Sequence, residues 1–139
     1  MKLVRILMLI TLCLMSSITL ASGKVYSPKI SYSLEIESNE LKKLTEVLKY
    51  FAKREKFDFY DVGTKLPKSE VIKPVIGRKP FFIDLRRGDI QIIAQDFSRK
   101  NIIELRLYDF GDKNSEYNEF LNLILQLREY WPDKIKEIR

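Results

Sequence analysis

Residues 81–110 read FFIDLRRGDIQIIAQDFSRKNIIELRLYDF, and this stretch decides the fold. Phe81 to Arg86 and Ile90 to Phe97 flank the pair Gly88-Asp89, the pattern of two strands joined by a tight turn. Ser98 to Asn101 is a second turn leading into Ile102 to Phe110, which completes a three-stranded meander. The register can be worked out on paper. A tight turn at Gly88-Asp89 places Leu85 opposite Ile92 and Ile83 opposite Ala94. A turn over 98–101 then places Ala94 opposite Leu105 and Ile92 opposite Leu107, so one apolar face continues across all three strands. The opposite face carries Phe82, Asp84, Arg86, Gln91, Ile93, Gln95, Glu104, Arg106 and Tyr108.

Upstream, Ser31 to Glu37 alternates Tyr32, Leu34 and Ile36 with Ser33, Glu35 and Glu37, the period of a half-buried strand. Ser38 and Asn39 are predicted caps for a helix with Glu40 in its first turn, ending near Lys56. Leu41, Leu44, Val47, Leu48, Phe51 and Ala52 form its core stripe, while Lys42, Lys43, Glu46, Lys49 and Lys53 face water. Phe57, Phe59 and Val62 suggest a short second strand closed by Gly63. Residues 63–80 hold Pro67, Pro74, Gly77 and Pro80 and read as irregular. After the meander, Asp112, Asn114 and Ser115 offer caps for a last helix with the apolar stripe Tyr117, Phe120, Leu121, Ile124, Leu127 and Trp131. Pro132 should end it, leaving 132–139 as a charged C-terminal tail. The expected fold is α+β: a largely antiparallel sheet of about four to five strands, covered on one face by two helices and solvated on the other.

The first 21 residues place Lys2 and Arg5 ahead of an apolar run from Ile6 to Met15, followed by small or polar residues up to Ala21. That is the three-part pattern of a signal peptide, with a cut expected between Ala21 and Ser22. A retained anchor is the weaker reading, because Ile6 to Ala21 is only 16 residues and a span needs roughly 20. Export is therefore expected, most simply to a bacterial periplasm, with full secretion as the alternative. Residues 22–30 read as a flexible lead-in, and 31–131 as a single domain. The whole chain has 139 residues and a formal charge of +6, and losing Lys2 and Arg5 would leave +4. The lone cysteine, Cys13, lies in the segment expected to be removed. No disulfide is then possible, and the fold must rest on its core, which the Phe and Tyr content makes large per residue.

Most familiar catalytic machinery is missing from the composition. The chain has no histidine and, after cleavage, no cysteine, which closes the common nucleophile–base pairs and makes a zinc site improbable. Asp58, Asp61, Asp109 and Asp112 lack calcium-loop spacing, and no Gly-rich phosphate loop is present, so neither a metal nor a cofactor is expected. Two carboxylates can still hydrolyse a polymer without histidine. Asp84 and Glu104 are the candidates, although ordinary cross-strand charge pairing is the simpler reading.

Two surfaces could bind a partner. The first is the uncovered sheet face, where Phe82, Ile93 and Tyr108 sit among Asp84, Arg86, Gln91, Glu104 and Arg106, the mixture that protein-recognition patches favour. The second is the basic segment 63–80 with Lys65, Lys68, Lys73, Arg78 and Lys79, suited to an acidic protein, an anionic polymer or lipid headgroups. Nucleic acid is an unlikely partner for an exported chain. The leading expectation is an exported, non-enzymatic binding module engaging another envelope or secreted protein, of the inhibitor or immunity type by analogy of architecture. The alternatives are a small carboxylate-dependent enzyme acting on a cell-envelope polymer and a basic protein held peripherally at an anionic membrane.

Overall fold

The alternation in the meander is realised as three antiparallel strands, β3 (Phe82–Arg87), β4 (Ile90–Gln95) and β5 (Ile102–Asp109). Leu85 pairs with Ile92, Ile83 with Ala94, Ala94 with Leu105 and Ile92 with Leu107, the register the turns require. Gly88 takes φ +55°, a left-handed conformation natural to glycine at the first position of a two-residue hairpin turn. The computed structural model describes residues 26–65, 80–96, 101–111 and 117–139. The expected signal peptide, the turn 98–100, most of the basic segment and the caps Asp112, Asn114 and Ser115 lie outside the described residues.

Three more strands extend the meander. β1 (Ile30–Glu35) pairs with β5, β2 (Asp58–Asp61) with β3, and β6 (Ile135–Glu137) with the far side of β1. The result is one six-stranded antiparallel sheet in the order β2-β3-β4-β5-β1-β6. The sheet therefore exceeds the expected four to five strands, because the supposed charged tail forms its last one. Pro132 ends the helix, Asp133 turns the chain at φ +62°, and Ile135 is buried opposite Leu34. Two ladder bonds, from Glu35 N to the Lys134 carbonyl and from Ile138 N to the Ser31 carbonyl, hold the strand in place. The lead-in is also partly built in, since Lys29 N donates to the Leu107 carbonyl.

Helices α1 (Leu41–Glu55) and α2 (Asn118–Tyr130) cover one face. Their stripes, with Leu44, Leu48 and Phe51 from α1 and Phe120, Leu123, Ile124 and Leu127 from α2, meet Leu34, Ile83, Leu85, Ile92, Ile103 and Leu105 in one buried core. Trp131, just past α2, is 2% exposed and closes the core at one end. The cap of α1 differs from expectation. A 3-10 turn, Ser38–Glu40, precedes the helix, and the capping box joins Glu37 and Glu40, so Ser38 and Asn39 are not its caps. Glu40 also accepts a bond from Trp131 Nε1 at 3.0 Å, tying the start of α1 to the end of α2. Its bond to the Glu37 backbone, and then that to Trp131, hold its carboxyl below the usual glutamate value. Lys56 ends α1 in the left-handed region at φ +60°, where the sequence places the stop.

Candidate functional site

Both helices lie on one side, the other face of the sheet carries neither of them, and strand alternation assigns its residues. One row across the sheet runs Tyr60, Asp84, Ile93, Arg106, Ser31. A second runs Asp58, Arg86, Gln91, Tyr108, and a third Phe82, Gln95, Glu104, Ser33, Lys136. All eight sheet-face residues singled out in the sequence thus share this face. Of the basic segment, Lys65 is described, exposed at the end of a helical turn over Val62–Lys65; Lys68, Lys73, Arg78 and Lys79 lie outside the described residues.

The face is not uniformly wet. Asp84 is only 2% exposed, flanked in its row by Tyr60 and Ile93. A carboxylate so placed needs its charge balanced and its lone pairs filled. Arg86 supplies both through Nε at 2.8 Å and a second guanidinium nitrogen at 2.6 Å, both on Oδ2, while Gln91 Nε2 donates to Oδ1 at 2.9 Å. The bond to Asp84 and then its charge raise the guanidinium pKa above its ordinary value. Arg86 itself is 60% exposed along its side chain and lies 5.5 Å from the centre of the Tyr60 ring. A buried acid therefore fixes an exposed arginine. Glu104 and Arg106 form a parallel pair along β5, and burial of Arg106 is outweighed by its bonds to Glu104 and Tyr108, so its pKa also rises.

Asp84 and Glu104 stand on strands separated by β4 and in adjacent rows, each bonded to an arginine two residues along its own strand. The sequence reading placed them on one face but expected cross-strand charge pairing, whereas each pairs along its own strand.

Aromatic side chains extend the site beyond the residues picked from the sequence. Tyr108 stacks on Phe110 with centroids 6.2 Å apart, and Tyr26 meets Phe110 edge-on at 4.8 Å. Phe110 and Tyr26 are 43% and 50% exposed, and Tyr60, at the other end of the band, 41%. A shallow recess of about 330 Å³ opens beside Phe110, lined also by Arg86, Gly88, Ile90 and Gln91. Tyr60 and Phe110 share the outward parity of Asp58 and Tyr108, so period-two counting could have found both. Tyr26 carries no such signal, because only folding lays the lead-in beside β5.

On the helix side, Arg87 is engaged inside the fold. It donates to the Glu55 carbonyl at 2.8 Å and to Glu119 at 3.0 Å, and lies 4.5 Å from the Phe57 ring centre. With Ile90, Ile92, Leu107, Tyr117 and Phe120 it lines a second recess of about 240 Å³. Among the described residues no group of three or more His, Cys, Asp or Glu converges as a metal site would, and no helix is long and apolar enough to cross a membrane. No family model, curated protein or solved structure matches the chain.

Proposed function

We propose that this chain is an exported, non-enzymatic binding module that grips another envelope or secreted protein with the uncovered sheet face, in the manner of an inhibitor or immunity protein. The observation that carries the reading is the Arg86 clamp. Buried Asp84 holds an exposed guanidinium in place beside Tyr60, at one end of a band that continues through Gln91 and Tyr108 to Phe110 and Tyr26. Arginine and tyrosine are the residues that anchor interfaces, and side chains already fixed before binding lose little entropy on association. Binding is favoured over carboxylate catalysis because Asp84 and Glu104 are each committed to an arginine. Export rests on the signal-peptide pattern of residues 1–21.

The test is capture from an envelope extract by the parent protein and by a Tyr60→Ser/Phe110→Ser variant. Both substituted residues are substantially exposed, so the fold should survive, as circular dichroism would check. One protein retained stoichiometrically by the parent at moderate salt and lost by the variant is the expected result. Equal capture by both proteins, or capture of salt-labile polymer alone, would overturn the reading. Arg86 is the wrong residue for this test, because removing it strands the Asp84 charge and confounds binding with stability.

A further inference from the structure

Residues 22–139 carry 23 Lys and Arg against 19 Asp and Glu, and the charges are segregated. Residues 42–56 carry six basic side chains, all exposed, against two acidic ones. Arg54 is paired with Glu55, and Lys43 rests 4.5 Å from the Tyr130 ring centre. Lys42, Lys49, Lys53 and Lys56 form no ion pair among the described residues, and neither does Glu46. At about 100° per residue the three on the helix, Lys42, Lys49 and Lys53, fall within roughly 40° of one another, opposite the core stripe, along about 17 Å of helix, with Lys56 just past its end.

For helix stability the placement is mixed, since Lys53 and Arg54 occupy the last turn, where the macrodipole favours cations. Lys42 and Lys43 occupy the first turn of α1, where the macrodipole disfavours cations, and Lys49 and Lys53 are like charges at i, i+4.

We propose that the solvent face of α1 docks on an anionic lipid bilayer. Lysines are point charges on flexible stems, suited to a diffuse planar field, whereas directional recognition of one carboxylate or phosphate favours arginine. Tyr50, 60% exposed beside the stripe, has the apolar body and polar tip that suit the headgroup level. The apolar stripe of α1 is committed to the core, so the association is electrostatic and superficial. Outside residues 42–56, residues 22–139 hold 17 basic and 17 acidic side chains, so the net positive charge of that stretch is that of residues 42–56. That asymmetry orients the module with α1 toward the lipid and the sheet face away from it, free for a protein partner.

The test uses the full chain and vesicles of phosphatidylcholine, alone or mixed with phosphatidylglycerol, in co-sedimentation at low and moderate salt. Any binding by the apolar residues 6–15 acts on both vesicle types, so the readout is the excess affinity for the anionic ones. A K42Q/K49Q/K53Q variant, which keeps good helix formers, should lose that excess by roughly a hundredfold, at about tenfold or less per lysine. K42R/K49R/K53R should restore it, and added salt should weaken it in the parent. A glutamine variant that binds anionic vesicles like the parent overturns the proposal, as does one that instead loses an acidic protein or soluble polyanion. Because these residues lie on the helix face, failure here is distinguishable from failure at Tyr60 and Phe110.

Discussion

Ile135→Ala separates a sixth strand from a charged tail. Ile135 is 6% exposed and packs into the core opposite Leu34, while Ile138, three residues on, is 41% exposed on the other face of the sheet. Truncating Ile135 removes three buried carbons, about 2.5 kcal/mol at ~0.8 kcal/mol each. The cavity contribution should be small because an edge strand can relax inward. Ile138→Ala should cost about 0.5 kcal/mol or less. With a urea m-value of about 1.5 kcal/mol/M, the first substitution lowers the unfolding midpoint by roughly 1.7 M and the second by at most a few tenths. The assay is urea unfolding followed by circular dichroism and by fluorescence of Trp131, the only tryptophan. Coincident transitions and an unchanged m-value would establish that stability alone has moved. Equal, small shifts for the two variants are what a solvated tail would give, and they would refute the assignment of β6 and the burial argument with it.

The two best-defined glycines should fail for different reasons. A Cβ at Gly63 would lie 2.3 Å from the Pro80 carbonyl oxygen, so Gly63→Ala forces backbone apart and should cost about 1–3 kcal/mol, whereas Gly88→Ala meets open space and pays about 1 kcal/mol for its positive φ. Thermal unfolding ranks them, and the reverse order would contradict the close approach. Glu40 and Glu119 both have lowered pKa values, Glu40 through the Glu37 backbone and Trp131, and Glu119 through its own backbone amide and Arg87. Depressed carboxylates stabilise the fold above the ordinary glutamate value of 4.5, and that stabilisation drains away as pH falls through the folded-state values. Urea midpoints should hold from pH 7 to about 5 and then fall, with Glu40→Gln showing a shallower acid limb; an unchanged limb would show that Glu40 does not carry the linkage. At the clamp, Arg86→Leu should destabilise more than Asp84→Leu, since an exposed guanidinium can resolvate and a buried carboxylate cannot, and the double variant should regain most of the loss. Equal losses in the two single variants, measured by thermal unfolding, would count against a buried charge.

Much of this molecule was legible in its residues because the information was local. The alternation of Ile83, Leu85, Ile92, Ala94, Leu105 and Leu107, together with two turns of defined length, fixes register, since a slip of one residue would turn every core side chain to solvent. The same alternation placed the eight sheet-face residues together, and three- and four-residue spacing assigned the buried stripe of α1 and most of that of α2, where it took in Leu121, which is exposed, and passed over Leu123, which is buried. What the pattern does not encode is which strands become neighbours. β1 lies between β5 and β6, and α1 carries the chain from there across the sheet to β2 at the opposite edge, because pairing depends on contacts distant in sequence. Ile135 reads as one apolar residue among charges until the free edge of β1 accepts it. Asp84 reads as an exposed acid until Tyr60, Ile93 and Arg86 enclose it. The lysines of α1 read as ordinary solvation until the packed domain leaves them unpaired on one side, opposite the sheet face. Local periodicity determined which side each residue faces; tertiary packing alone decided what stands beside it, and burial and charge pairing depend on those neighbours.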